Sequence, residues 1–271
     1  MTAPPLRAAG PAPSRLVRTR DVVTSEWTKL RSMRSNYWTL IIAAAVTLGV
    51  TAIVAASLAA APTAPGGSPI GPLTGSFVAF AEYTVLPVAV LSVLVVTSEY
   101  SSGLIRTTFT AVPGRWAVLA AKAGVAGAAA VAAGEVIVFA CFWLTQAILS
   151  SRHGGLSLSR PGVPGAVLAA GLFPGACAVV GVGLGALIRH TAGAIAAVVA
   201  VVYLLGVLCL ALPSPWNTRL GRFTLPFAAY QAATLHPQAG LFCRGLSILI
   251  LVAWPAVTLV AAGIAITRRD V

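Results

Sequence analysis

The chain has 271 residues, of which 58% are hydrophobic and only 9% charged, with a formal net charge of +12 and a mean hydropathy of +0.91. A soluble domain carries about 25% charged residues, so a water-soluble globular protein is excluded. The basic residues flank apolar runs, which marks membrane topology and argues against a nucleic-acid-binding face. Cys141, Cys177, Cys209 and Cys243 stand far apart with no C-x-x-C pair, so neither a disulfide framework nor a zinc site is indicated. The first apolar run is too long for the core of a signal peptide.

In chain order, residues 1–20 are rich in Pro, Ala and Arg without periodicity and read as a disordered cytosolic tail. Over 21–36, Val23, Trp27, Leu30 and Met33 recur at helical spacing, while Lys29, Arg31 and Arg34 fall largely elsewhere. That pattern predicts an amphipathic elbow helix in the membrane interface, with Trp27, Lys29, Leu30 and Arg31 as its interfacial residues. Residues 37–271 form an all-α domain of six spans, each reaching the ~20 apolar residues that a ~30 Å hydrocarbon core requires. The spans are expected at 37–61, 77–97, 117–149, 166–188, 194–212 and 244–266, with Pro87 breaking the second.

A Pro/Gly-rich loop, 62–76, turns the chain on the far side, and 150–165 forms a second outer loop. The longer segment 213–243 either re-enters the membrane or caps it. With both termini on one side, thirteen of the 18 Lys and Arg residues share that side. The positive-inside rule then makes both termini cytoplasmic.

The central loop, 98–116, is the most polar internal segment beside a span. It holds Glu99, Ser101, Ser102, Gly103, Arg106, Thr107 and Arg115, with the turn Pro113-Gly114. A short helix is expected over 101–111, because plain helix–helix turns need only 2–8 residues. Glu99 is read at the start of that helix, where a carboxylate is favoured. Arg115 and Lys122 lie one and two turns into the next helix, towards lipid headgroups or Glu99.

Other chemistry is poorly supplied. A Walker A loop needs Gly before its Lys, yet Thr28 precedes Lys29 and Ala121 precedes Lys122, the two lysines of the chain. His153, His190 and His236 form no metal-binding helix motif, and no G-x-S-x-G elbow is present. Glu82 and Glu135 fall within spans, where ionisable groups are costly. They are read either as helix-end acids or as a substrate path or proton relay, the latter implying an ion- or proton-coupled secondary transporter. Gly171-x-x-x-Gly175 and Gly181-x-x-x-Gly185 permit close helix approach, read first as packing within one protomer and second as a dimer face.

With these residues in view, the chain resembles the permease subunit of a type-2 ATP-binding-cassette (ABC) exporter, of the actinobacterial drug and antibiotic exporter group. The resemblance runs from Ser25 to Arg269. It rests on the elbow Ser25-Glu26-Trp27-Thr28-Lys29-Leu30-Arg31-Ser32 and on Glu99, Gly103, Arg106, Pro113, Arg115 and Lys122 in the loop pattern. Leu104 stands where that family often has Thr. The resemblance implies a dimer with a second permease copy or a sister permease in the bacterial cytoplasmic membrane, bound to two separately encoded ATPase subunits. ATP and Mg would sit on those partners and no cofactor in this chain. It also implies that Glu99, Ser101, Ser102, Gly103, Arg106, Thr107 and Arg115 receive the ATPase, and that 213–243 corresponds to a re-entrant gate.

Overall fold

The computed structural model describes residues 15–60, 80, 83–112, 114–150, 157–235 and 242–268. Among these residues the chain is helical and has no strand. Helix α1 (Arg15–Ser32) is followed after a break at Met33 by α2 (Arg34–Ala60). Next come α3 (Val85–Ser101), α4 (Leu104–Ala111), α5 (Arg115–Leu149) and α6 (Val163–Ile188). Helix α7 (Thr191–Leu210) contains one π turn, Ala200–Leu204. Two short helices, α8 (Trp216–Gly221) and α9 (Leu225–Ala233), precede α10 (Arg244–Arg268).

Helices α2, α5, α6, α7 and α10 are long and apolar enough to cross a membrane. Helices α3 and α4 pass the same test only as a pair bent by 82°. The chain is therefore an all-α, multi-pass membrane protein with five or six spans. The amphipathic helix starts earlier than its predicted boundary at 21, since α1 already includes Arg15. Of the expected second span, 77–79 and 81–82 lie outside the described residues; Phe80 and Tyr83 are helical, Thr84 is a turn, and Pro87 stands in the first turn of α3, where a proline is tolerated.

Helix α6 forms the centre, packed against α5, α3, α10, α9 and α7. Its glycines explain how one helix accommodates so many neighbours. On the α5 side, a Cβ on Gly134 would stand 3.0 Å from the Gly171 carbonyl oxygen, and one on Gly175 would stand 3.3 Å from that of Gly127. On the α3 side, a Cβ on Gly181 would come within 2.9 Å of the Ala89 carbonyl oxygen. On the α10 side, one on Gly183 would lie 3.0 Å from the Thr258 backbone. Both small-xxx-small pairs are thus used inside the protomer, against α5 and α3.

Around this centre Phe173, Cys177, Val180, Val198, Leu225 and Leu251 form the main apolar core. Ile41, Ile53, Val136, Val207, Leu210, Leu249 and Val257 lie on the outside of the bundle and are exposed. Such a surface suits hydrocarbon and not water.

Residues 213–235 fold back on the body. Leu225, Ala228, Ala229 and Ala232 on α9 are fully buried, against α10 and α6. Arg244 fastens this element by donating to the carbonyl oxygens of Ala232 (3.0 Å) and Thr234 (3.1 Å), the end of α9 where helix carbonyls lack partners. Gln231 donates to the Phe227 and Arg222 carbonyls and accepts from the Phe242 amide. The loop 62–76, residues 1–14, Pro113, His153 and His236 lie outside the described residues.

Gly134→Leu and Gly175→Leu should each destabilise the purified protein by about 1–3 kcal/mol, the usual cost of overpacking. Gly245→Ala, where an added Cβ meets nothing within 4 Å, should leave the unfolding temperature unchanged. Thermal unfolding in detergent checks all three, and equal temperatures would remove the close-packing role.

Candidate functional site

The N-terminus of α5, the C-terminus of α3, all of α4 and the interior face of α1 meet at one end of the bundle. Lys29, Arg31, Arg34, Arg106, Arg115, Lys122, Arg189 and Arg268 belong to the helix ends and turns gathered there, which makes it the basic end. Arg160, Arg219, Arg222 and Arg244 belong to the opposite end.

Four charged side chains form a network at the basic end. On α1, Glu26 and Lys29 stand three residues apart and share a helix face. Lys29 donates to Glu26 Oε1 at 2.8 Å and to Glu99 Oε1 at 2.9 Å. Lys122, two turns into α5, donates to Glu26 Oε2 at 2.5 Å and to Glu99 Oε1 at 2.9 Å. Glu26, Glu99 and Lys122 are 4%, 6% and 3% exposed, so three of the four charges are withdrawn from water.

Two carboxylates and two ammonium groups leave the network formally neutral, which is the condition for burying it. Burial works against the charge of Lys29, but the Glu26 and Glu99 carboxylates prevail and hold its ammonium above the ordinary lysine value. Lys29 therefore remains cationic across the physiological range.

Helix α4 is attached to the same corner by apolar contact. Ile105 is buried, and Phe109, one turn later, packs with Val112 against Val22, Val118 and Ala121. The sharp entry to α4 is made by Gly103, whose φ of 73° lies in the left-handed region open to glycine. Arg115 sits with its guanidinium 5.5 Å from the Phe109 ring centroid and donates to the Ile266 carbonyl at 2.8 Å. It thereby ties the start of α5 to the end of α10.

The expected docking residues thus separate into two groups. Ser101, Ser102, Gly103, Arg106 and Thr107 are exposed, as is Leu104. The hydroxyls of Ser101 and Ser102 donate to the Ser98 carbonyl, and that of Thr107 to the Leu104 carbonyl, so each already has a local acceptor. Glu99 and Arg115 are turned inward and do not belong to that surface. The reading of Glu99 at a helix start also needs correction. It lies in the last turn of α3, where the helix dipole disfavours a carboxylate, and the two lysines supply the compensation.

The elbow turns its apolar stripe away from the bundle, the orientation expected of it. Its inward residues are Val22 and Glu26, whereas Val23, Trp27 and Met33 are 40–49% exposed. Lys29 and Arg31 are exposed and Leu30 half-buried. An outward apolar strip carrying Trp27 is the geometry of a helix lying on a bilayer.

Sequence reasoning left Glu26 and Lys122 off the list of site residues. The signal was present, because both lysines of the chain and two of its six acids make up the network. Charges so sparse in an apolar chain have few partners other than one another.

Of the two intramembrane acids, Glu82 lies outside the described residues. Glu135 on α5 rests against Gly171 of α6, close enough that a Cβ on Gly171 would overlap its carboxyl. Its Oε2 is buried without a hydrogen-bond partner among the described groups. At the opposite end, Phe173, Tyr203, Asn217, Thr224, Phe227 and Tyr230 contribute to a mostly apolar cavity of about 410 Å³ beside the π turn of α7. Among the described residues no three His, Cys, Asp or Glu come together as metal ligands. No protein-family model matches the chain, and no curated protein matches it significantly.

Lys122→Met should cost about 3–5 kcal/mol, because it leaves two buried carboxylates facing one partly exposed lysine. Adding Glu26→Gln should return part of that loss by restoring neutrality. Unfolding temperatures of the two variants in detergent provide the comparison, and a double variant less stable than the single one would contradict the network.

Proposed function

We propose that the chain is the transmembrane permease subunit of an ATP-driven exporter, moving a hydrophobic or amphipathic substrate outward across the bacterial cytoplasmic membrane. Energy comes from separately encoded ABC ATPase subunits, which bind ATP and Mg, and the chain works as a dimer with a second permease copy or a sister permease. The observation that carries this reading is α4, an exposed helix of eight residues turned 82° from α3 at the basic end. On its inner face Ile105 is buried and Phe109 packs against α1 and α5, and its outer face offers Leu104, Arg106 and Thr107 with Ser101, Ser102 and Gly103.

A lever is useful only if force on it reaches the spans. Here α3 enters α4 through Gly103, and the buried charges tie the end of α3 to both α1 and α5. Motion imposed on α4 is passed to two spans and to the interfacial helix as a unit, the kind of rigid coupling that switching interfaces use. The positive-inside bias makes this end cytosolic, where a nucleotide-binding partner is found. Without a Walker A loop the chain is read as a transport subunit and not as an enzyme.

The second reading, a proton-coupled secondary transporter using Glu82 and Glu135, is favoured by the unpartnered Glu135 Oε2 within α5. In sealed vesicles the first reading expects export to stop when ATP hydrolysis is blocked and to survive collapse of the proton gradient. The reverse pattern selects the second.

Arg106→Glu combined with Leu104→Ala should lower ATPase co-purification at least about tenfold, with the unfolding temperature unchanged, since both side chains are exposed. Glu99→Gln should lower co-purification and unfolding temperature together, because Glu99 positions α4 and does not face a partner. Full ATPase recovery with the Arg106/Leu104 variant removes α4 as the docking element.

A further inference from the structure

Arg189 occupies the turn between α6 and α7, at the basic end and away from the charge network. Its φ is 58°, the one positive value for a non-glycine residue among those described. The C-cap of a helix in this conformation is normally a glycine, and a longer side chain there is strained. The strain is retained together with a guanidinium whose Nε and Nη2 are buried and have no hydrogen-bond partner among the described groups. No carboxylate among the described residues forms an ion pair with it.

The guanidinium lies 5.4 Å from the centroid of the Tyr100 ring and interacts with the buried Tyr100 hydroxyl, which has no other partner among the described groups. Thr97, Tyr100, Ser101, Arg189, His190 and Thr191 contribute to the lining of a cavity of about 570 Å³. Glu99, the acid adjacent to Tyr100 in sequence, is engaged by Lys29 and Lys122. His190 Nδ1 is engaged by the Gly193 amide.

Nε and Nη2 form one edge of the guanidinium plane, with two parallel N–H bonds at the spacing of two oxygens on a phosphate or carboxylate. A half-buried cation without an ion pair favours a counter-charge, and a phenol whose proton is unused favours an acceptor. We propose that Arg189 and Tyr100 form a binding site for a phosphate-type oxyanion at the basic end of the bundle, gripped side-on by Nε and Nη2 and hydrogen-bonded by the Tyr100 hydroxyl. The site does not depend on the exporter reading. A phospholipid headgroup of the adjoining leaflet and free phosphate present the same chemistry, and they are told apart by experiment.

The full chain, purified in a neutral maltoside detergent, is assayed in two arms. Native mass spectrometry measures retention of phosphatidylglycerol against phosphatidylcholine. Thermal unfolding measures the shift produced by inorganic phosphate against chloride at matched ionic strength. Arg189→Gly is the informative variant because glycine relieves the left-handed backbone, so the protein without added anion should unfold at the same temperature or higher.

The same variant should bind the anion at least about tenfold more weakly, as expected for loss of a bidentate charge-assisted pair. Tyr100→Phe should weaken binding about tenfold, the scale of one hydrogen bond to a charged group, and Arg160→Gln at the opposite end should leave it unchanged. Arg189-dependent retention of phosphatidylglycerol alone assigns the site to a lipid headgroup, and an Arg189-dependent phosphate shift alone assigns it to the soluble ion. If neither probe distinguishes the native chain from Arg189→Gly and Tyr100→Phe, the site is overturned.

Discussion

A helix that must touch neighbours on several sides within a bilayer has little room for side chains, and α6 meets this constraint with glycine. Gly171 and Gly175 face α5, Gly181 and Gly185 face α3, and Gly183 faces α10. In lipid the hydrophobic effect does not drive helices together, so close van der Waals approach has to do that work. Backbones so close that an added Cβ would stand about 3 Å from a neighbour's backbone fix the rotation of α6 relative to each neighbour, and with it the positions of their ends.

The basic end depends on this placement. Because α3 and α5 are both held against α6, Glu99 and Lys122 arrive at the same corner, and α1 closes it with Glu26 and Lys29. The network carries a desolvation cost that a neutral apolar contact would avoid. It is more naturally read as a device for registering three helices than as a source of stability, since misplacing any one of them would leave a charge buried and unpaired. Helix α4 inherits its orientation from that registration, and so does the exposed surface it presents.

Much of the plan was legible in the sequence. The elbow, the long apolar spans, the short helix in the central loop and the glycine pairs all follow from periodicity and composition. The outward stripe of Val23, Trp27 and Met33 follows from the elbow pattern, whereas the inward turn of Glu26 does not. Periodicity shows that two faces differ, but in a membrane protein both lipid and core accept the apolar one. Glu99 was placed on the docking surface by the resemblance, whereas it is turned inward to Lys122, the pairing that the sequence offered as the alternative to lipid headgroups. Neither the left-handed backbone of Arg189 nor the burial of its guanidinium edge has a signature in a single sequence.

Composition and the length of the apolar runs determined that this is an all-helical, multi-pass membrane protein, because an unbroken run of ~20 apolar residues crosses a bilayer as a helix that satisfies its own backbone. It also placed the cations near the span ends and set both lysines and most acids within reach of a helix terminus. Which charge meets which, and which face of α1 or α4 is open to a partner, was decided by tertiary packing. Those pairings join residues as far apart as Glu26 and Lys122, and they exist only once glycine contacts along α6 have fixed how the helices are turned.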